Sequence, residues 1–219
     1  MDELIRTIAV YALPVLFAIT LHEAAHGYVA KYFGDNTAYV AGRVSMDPFK
    51  HIDPFGTVIL PLLLYLISHG QMVFGYARPV PVNFGNLRSP RKQSAFVAFA
   101  GPGMNFLMSL GWLILGLCAS AYSGPDGFVY EMAVAGIKVN LLLFAFNLIP
   151  IPPLDGGRVL TSVLPPRLGY QFAQIEPYGF FIVMALLLTH LIDFWVINLS
   201  NYGFMLINLL SRPLQLILS

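Results

Sequence analysis

Charged residues are scarce in this chain of 219 residues: aspartate, glutamate, lysine and arginine together make up only 11% of it. A soluble domain of this size carries charge on roughly 25% of its residues. Hydrophobic residues make up 57%, and the mean hydropathy is +0.71. Because so little charge is available to cover the surface, much of that surface must face something other than water, and the lipid bilayer fits best.

Other absences exclude further classes of protein. The formal net charge is only +1, whereas a nucleic-acid-binding protein would carry a strongly basic face, so we expect no nucleic-acid partner. Cys118 is the only cysteine, which excludes a disulfide framework and a cysteine-based zinc site.

Asp2 and Glu3 precede the first apolar stretch in place of basic residues, and no small-residue cleavage site follows it. We therefore expect no cleavable signal peptide.

Several apolar segments are long enough to cross a hydrocarbon core of ~30 Å, which takes roughly 20 helical residues. Another apolar segment, 57–68, is too short, because its helix would rise only ~18 Å, and Pro61 would interrupt it. We expect an all-α membrane protein with about five transmembrane helices and a re-entrant segment at 57–68. The five spanning segments are about 4–30, 93–120, 129–150, 177–197 and 200–218.

The distribution of lysine and arginine favours five spans. With five, ten of these residues lie on one side, Arg6 lies on the other, and Lys138 lies within a span. If 57–68 also crossed, the split would become eight to three. Positive residues concentrate on the cytoplasmic side of membrane proteins. The sequence therefore predicts a multi-pass protein with its N-terminus outside and its C-terminus in the cytoplasm.

The first apolar segment contains the residues HEAAH at positions 22–26. Positions i and i+4 lie on one face of a helix, one turn apart, so the imidazoles of His22 and His26 can bind one Zn²⁺. Glu23 directly follows the first histidine and is placed to act as a general base. Chance packing of these side chains is the weaker interpretation, because ionisable groups inside a membrane span are costly and mark function.

A catalytic zinc site usually has three protein ligands, so one ligand is still missing. Asp155 is the best candidate, because it follows the proline-rich stretch 147–154 and precedes two glycines. We expect an unwound segment that directs this carboxylate towards the zinc; a plain turn with a solvated aspartate is the alternative. In the five-span topology Asp155 lies at the depth of both histidines, whereas six spans would separate them across the core.

These residues resemble the site-2 protease family of intramembrane zinc metalloproteases. Positions 22–26 match its H-E-x-x-H motif, and 147–157 match its N-x-x-P-x-P-x-L-D-G-G motif. The residues AGPGMNF at 100–106 are similar to its A-G-P-x-x-N-F motif. The segments 51–57 and 76–83 are similar to compact prokaryotic members, and the sequence lacks the PDZ-like insertion of the larger ones.

The resemblance implies one membrane protease domain over 1–219, in a prokaryotic plasma membrane. Its core helices would be 4–30, 93–120 and 129–157, and its accessory helices would be 177–197 and 200–218. The expected substrates are single-span membrane proteins or remnants like signal peptides.

The resemblance also implies a mechanism. One Zn²⁺ per chain, held by His22, His26 and Asp155, would activate a water molecule. Glu23 would accept the proton of that water and pass it to the leaving amine.

Asparagine side chains in apolar spans have two interpretations. By resemblance, Asn147 and Asn105 would bind the substrate backbone or steady the tetrahedral intermediate. Asparagines also form hydrogen bonds between membrane helices, and this packing role is the interpretation we favour for Asn140.

Further segments carry weaker signals. The stretch 38–46 has β-branched and aromatic residues around a glycine, which predicts a small β-hairpin near the cytoplasmic face. It could bind an unwound substrate by strand addition or serve structure alone. His51, Asp53, His69 and His190 could be additional metal ligands, although hydrogen bonding within loops is the simpler interpretation for His51 and Asp53. His190 is expected in the outer half of a late span, without an assigned role.

Two other functions compete with proteolysis. A divalent-metal transporter would also carry histidine and carboxylate groups in its spans, but it would place further ligands along a path and often contain an internal repeat. An inactive homologue that only binds membrane proteins would have no use for Glu23.

Overall fold

The computed structural model describes residues 2–67, 75 and 77–218, and all regular elements in these ranges are helical. Short 3-10 or π turns lie at Pro48–Lys50, Pro54–Ile59 and Phe84–Asn86. The α-helices of the described ranges are α1 (Asp2–Tyr32), α2 (Thr37–Val40), α3 (Leu60–Ile67), α4 (Pro90–Ser123), α5 (Phe128–Asn147), α6 (Asp155–Val163), α7 (Pro166–Ala173), α8 (Glu176–Leu188) and α9 (Asp193–Leu218).

Three of these helices are long and apolar enough to cross a membrane: α1, α4 and α5. The pair α7–α8, bent by 67°, counts as a fourth span if it is taken as one broken helix. Large hydrophobic side chains such as Ile8 and Leu107 are 59% exposed on the outside of this bundle. Apolar surface of this kind is typical of a protein that faces lipid.

Small residues bring the three long helices together. Ala18 of α1 and Ala133 of α5 are fully buried between helices. At Gly136 a Cβ atom would lie 2.3 Å from the ring of Trp112 on α4, so only glycine permits this approach. Because the hydrophobic effect does not drive helices together inside lipid, close packing at small residues is the usual source of cohesion.

The contacts of α9 set its direction. Trp195, near its start, donates a hydrogen bond from Nε1 to the carbonyl of Ala145 at the end of α5 (3.2 Å). Further along, the fully buried Ile207 packs with Leu113 and Ile137, which lie in the middle of α4 and α5. Helix α9 therefore runs antiparallel to α5.

Helix α1 runs parallel to α5. Arg6, near the start of α1, forms an ion pair with Glu131, near the start of α5, with 3.0 Å between Nε and Oε2. The end of α9 therefore lies on the side where α1 begins. The directions of α1, α5 and α9 thus favour chain ends on one side of the bundle, and the predicted orientation of the termini across a membrane stays a prediction.

The last two predicted spans, 177–197 and 200–218, are divided at the wrong place. The break lies between Leu188 and Asp193, and His190 adopts a left-handed conformation there (φ 58°). Helix α8 has 13 residues, so it rises only ~20 Å, less than the hydrocarbon core. The sequence hides this break, because no glycine or proline lies within 180–202.

The predicted β-hairpin at 38–46 is also wrong. Residues 37–40 form helix α2, and Gly42 (φ +66°) reverses the chain so that the Arg43 N–H donates to the Ala38 carbonyl (2.9 Å). A strand needs a partner, and the side chain of Asp35 instead accepts hydrogen bonds from the N–H and hydroxyl of Thr37, which favours a helical turn.

The short apolar segment is helical as far as the structure describes it. A π-helical turn over Pro54–Ile59 leads directly into α3, which ends at Ile67. Residue 68 lies outside the described ranges. The re-entrant path of 57–68 stays a prediction.

Candidate metal centre

The two histidines of the HEAAH sequence lie one turn apart on α1, and their ring nitrogens converge. The Nε2 atoms of His22 and His26 are 3.1 Å apart. His22 is buried, with 8% of its surface exposed. The helix continues without interruption through this stretch, as its apolar composition favours.

Asp155 brings the third ligand-type atom to the same point. Its Oδ2 atom lies 3.2 Å from Nε2 of His22 and 3.3 Å from Nε2 of His26. Asp155 is the first residue of α6, directly after the irregular stretch 148–154. The unwound stretch that was expected to include Asp155 therefore ends at Leu154. The Asp155 carboxylate lies at a helix N-terminus, where the helix dipole favours negative charge.

Each imidazole is oriented through its other nitrogen. Nδ1 of His22 lies 2.6 Å from Oδ1 of Asn105, and Nδ1 of His26 lies 2.7 Å from the carbonyl oxygen of Val97. Both partners are oxygen acceptors, so both Nδ1 atoms must donate a proton. The Nε2 atoms of the neutral rings then carry lone pairs that point at each other and at the carboxylate.

This arrangement fits a tetrahedral metal ion. Zinc binds histidine nitrogen at ~2.0–2.1 Å, so neighbouring ligand atoms around it lie roughly 3.3 Å apart. The three distances here are 3.1, 3.2 and 3.3 Å. Three electron-pair donors this close repel one another unless a cation or proton lies between them. The donor set of two imidazoles and one carboxylate is typical of catalytic zinc.

Glu23 lines the same cavity as the three ligand-type residues, and one of its carboxylate oxygens is bound by the protein backbone. Its Oε2 atom accepts a hydrogen bond from the backbone N–H of Val80 (2.7 Å). Val80 belongs to an extended stretch, 77–83, which crosses over the centre. This stretch is fixed further along, where the Asn83 N–H donates to Oδ2 of Asp35 (2.7 Å).

Asp35 is therefore a structural anchor that the sequence did not reveal. It is fully buried, and burial alone would raise the pKa of its carboxyl group. Hydrogen bonds from Thr37, Asn86 and Asn83 outweigh this effect and lower the pKa below its usual range. The ionised carboxylate can thus hold the extended stretch over the centre at neutral pH.

The three asparagines have different surroundings. Asn105 is fully buried, and its amide nitrogen donates to Ala18 O (3.1 Å) and to Oδ1 of Asn140 (3.0 Å). Its oxygen lies against Nδ1 of His22, so these contacts favour a role in positioning that imidazole, and the substrate-binding role of Asn105 stays a prediction. Asn140 is also fully buried and donates to Gly136 O, which agrees with packing. Asn147 lines the cavity at the metal centre.

That cavity, called the metal cavity below, has a volume of about 180 Å³. The ligand-type side chains and Glu23 form one wall, and the extended stretch with Val80 and Phe84 forms another. Arg158 of α6 also lines it. Val80, Phe84 and Arg158 were not predicted as site residues from the sequence, because their place in the cavity wall depends on the path of 77–83.

Among the described residues, the further candidates His51, Asp53 and His190 do not join the centre. His51 is buried, and its Nε2 atom lies 2.9 Å from Ser45 O. Asp53 caps the π-helical turn through Gly56 N–H (2.7 Å). His69 lies outside the described residues. His190 is in the turn between α8 and α9, 2.9 Å from Asp193, and not in the outer half of a span.

Gly101 lies in the AGPGMNF motif at 100–106, but the motif alone did not indicate its role beside the histidines. A Cβ atom at this position would lie 2.4 Å from Nε2 of His26 and 2.6 Å from Nε2 of His22. Helix α4 therefore approaches the ion-facing nitrogens so closely that no side chain fits.

Comparison with known proteins agrees with this chemistry. Residues 120–190 match the model of peptidase family M50. YwhC of Bacillus subtilis (strain 168) is 36% identical over 200 residues, which cover 87% of this chain and 85% of YwhC. Rip2 of Mycolicibacterium smegmatis is 30% identical over 191 residues, which cover 86% of this chain and 70% of Rip2.

A more distant relative is MJ0392 of Methanocaldococcus jannaschii, 25% identical over 162 residues, which cover 74% of this chain and 36% of MJ0392. The names of all three relatives include the words zinc metalloprotease. No solved structure gives a significant match. The extent of the similarity to YwhC and Rip2, together with the family match, establishes that this chain belongs to peptidase family M50, the site-2 protease family of intramembrane zinc metalloproteases.

Proposed function

We propose that this membrane metalloprotease binds its zinc through His22, His26 and Asp155, uses Glu23 as its general base, and cuts single-span membrane proteins or signal-peptide-like remnants. The observation that carries the proposal is the convergence of three ligand-type atoms within 3.3 Å of one another. They lie on the wall of a cavity that Glu23 also lines.

A bound zinc ion supplies Lewis acidity, which activates water and polarises a carbonyl. Glu23 then accepts a proton from the attacking water and delivers it to the leaving amine. The Val80 N–H holds Oε2 of Glu23, so we assign the proton transfer to the other carboxylate oxygen. A fixed carboxylate loses little entropy when it takes up the proton.

Two asparagines support this chemistry in different ways. Asn105 positions His22, because its carbonyl oxygen accepts the Nδ1 proton and leaves Nε2 free for the metal. Asn147 lines the metal cavity, and its side chain donates to Leu143 O (3.0 Å). Its amide oxygen can accept a hydrogen bond from a substrate N–H.

The substrate must be unwound where it is cut. In an intact helix the backbone carbonyls are hydrogen-bonded along the axis and the side chains surround the backbone, so a carbonyl carbon reaches the metal centre only where the helix opens. An extended chain is narrower and exposes its carbonyl carbons. A membrane segment that unwinds easily is therefore the substrate that this site favours.

The distribution of charge supports a metal centre near the cytoplasmic side. With the observed direction of α9, Arg212 moves to the side of Arg6, so the split of lysine and arginine is nine to two, with Lys138 inside α5. The nine residues lie on the side of the metal centre, where the positive-inside rule locates the cytoplasm. We propose that α9 crosses beside α1, α4 and α5, because its Ile207 packs against the middle of α4 and α5, and that both ends of the chain lie outside.

Removal of the metal tests the proposed function. Purified protein in detergent is expected to cut a single-span model substrate, and a zinc chelator is expected to lower the rate at least about a hundredfold. Added Zn²⁺ should restore the rate in the original protein but not in Asp155→Asn, which lacks the third ligand. Cleavage that continues in the metal-free protein would reject the proposal.

Labelling of single cysteines tests the topology. In a Cys118→Ala background, a membrane-impermeant maleimide is expected to label Leu216→Cys in intact cells as readily as Asp126→Cys, which lies in the α4–α5 connection. Lys50→Cys, on the side of the metal centre, should react only after permeabilisation. If Leu216→Cys behaves like Lys50→Cys, α9 does not cross as proposed.

A further inference from the structure

A second cavity continues from the metal cavity and has more than twice its volume, about 410 Å³. We call it the adjoining cavity. Val82, Phe84 and Arg158 line both cavities, and Thr161 and Glu176 line only the adjoining one. An extended peptide with one bond at the metal centre must continue beyond the metal cavity, and the adjoining cavity offers space for its next residues.

Arg158 lies at the junction of the two cavities. It follows Asp155 by three positions on α6, so both side chains project from the same face of that helix. Its guanidinium group donates from Nη2 to Oε1 of Glu176 on α8 (2.8 Å). The guanidinium carbon also lies 5.6 Å from the centre of the Phe84 ring. These contacts fix the side chain beside the path of the peptide.

The guanidinium group has donors to spare. Arginine carries five N–H donors, and in the part of the chain that the structure describes only Nη2 of Arg158 makes a hydrogen bond to a protein acceptor. The remaining N–H groups can reach an acceptor on a peptide in either cavity. A main-chain carbonyl is such an acceptor, and an extended chain presents one at every residue.

Glu176 affects which kind of hydrogen-bond acceptor Arg158 binds more favourably. Its carboxylate balances the charge of Arg158, so the pair attracts a further anion only weakly. An acidic side chain in the adjoining cavity would also lie close to the negative charge of Glu176. A neutral carbonyl gains the hydrogen bond without this repulsion.

We propose that Arg158 binds a main-chain carbonyl of the extended substrate at the junction of the cavities, and that Glu176 makes the adjoining cavity reject acidic side chains. The inference rests on the proposed function, because it requires a peptide bond to lie at the metal centre. It assigns to Arg158 a role in substrate binding and to Glu176 a role in substrate selectivity.

The variant Glu176→Gln tests the selectivity. A series of single-span model substrates carries aspartate or asparagine in turn at each of the three residues on either side of the cleaved bond. The original protein is expected to discriminate against aspartate at one or more of these positions. In Glu176→Gln the ratio of kcat/KM for aspartate to that for asparagine should rise there by about threefold or more, the size expected for a partly exposed charge pair.

Glu131→Gln is the matched control. It removes the other Arg–Glu pair, which joins α1 to α5 far from the centre, so it should leave the aspartate-to-asparagine ratio unchanged. An equal ratio in the original protein, Glu176→Gln and Glu131→Gln would refute the proposed selectivity. A change of the ratio in both variants would also refute it, because the effect would then come from general loosening of the helices.

The variant Arg158→Lys tests the binding role. Lysine keeps the charge that faces Glu176 but lacks the planar set of donors. We expect KM to rise by about threefold or more while kcat and zinc content stay within about twofold, because lost ground-state binding affects KM. A fall in kcat with unchanged KM would overturn this role. If the original protein itself showed no zinc-dependent cleavage, the proposed function would fail before this inference was reached.

Discussion

Glu23→Gln is expected to abolish peptide cleavage while the protein keeps its zinc. General-base catalysis contributes about 10²- to 10⁴-fold to the rate, and glutamine cannot accept the proton. The amide oxygen of glutamine can still accept the hydrogen bond from the Val80 N–H, which in the original protein is 2.7 Å from Oε2. The extended stretch over the metal cavity should therefore stay in position, and only the proton transfer should be lost.

Two measurements on the same purified sample separate chemistry from metal binding. Turnover of a single-span substrate should fall at least about a hundredfold, and zinc content by mass spectrometry should remain at one ion per chain. A variant that retained both zinc and more than a tenth of the activity would remove Glu23 from the mechanism. It would also revive the view of the chain as a binding protein that does not need a base.

Gly101→Ala is expected to remove zinc and activity together. The new Cβ atom would lie 2.4 Å from Nε2 of His26 and 2.6 Å from Nε2 of His22, well inside van der Waals contact. Both ion-facing nitrogens would have to move, and hydrogen bonds to Asn105 and Val97 resist such a movement. We expect the zinc content to fall below about a tenth of the original, because tetrahedral coordination tolerates little displacement.

Gly111→Ala provides the matched control on the same helix. A Cβ atom at Gly111 meets no other atom within 4 Å, so this variant should keep its zinc and its activity. Circular dichroism should show the same helical content for both variants. Full zinc occupancy in Gly101→Ala would mean that α4 does not approach the histidines as closely as described.

The sequence was most informative where function depends on local spacing. The four-residue step from His22 to His26 requires only a helix, and the apolar residues around it make a helix the expected structure. Asp155 was selected by the prolines before it, the glycines after it and the matching depth of its span. The structure brings these three side chains together, and their role as ligands stays a prediction for the experiments above.

The sequence was least informative where tertiary contacts decide the outcome. The pattern at 38–46 suits a strand, but no strand lies beside it among the residues that the structure describes, and the hydrogen bonds of Asp35 favour a helical turn. The direction of α9 follows from its contacts with α5, such as the hydrogen bond from Trp195 to Ala145. Hydropathy does not predict such contacts between helices. The division between the last two apolar segments was therefore misplaced, and the number of crossings stays a prediction.

The same limit applies to the residues around the ligands. The asparagine of the 100–106 motif was assigned to the substrate, yet Asn105 is fully buried against His22. A motif shows which residue type a site needs but not which neighbour it contacts. Gly101 and the Val97 carbonyl belong to the same group of residues, because they act on the histidines only through packing of α4 against α1.

The ligand set also has a mechanical consequence, because it joins parts of the chain that lie far apart. His26 and Asp155 are separated by 129 positions in the sequence (155 − 26), and a single ion bound by both would act as a reversible cross-link between α1 and α6. An ion present at a hundred times its dissociation constant stabilises the folded protein by about 2.7 kcal/mol. Metal supply would thereby govern not only turnover but also how tightly the helices pack at the end of the bundle that carries His26 and Asp155.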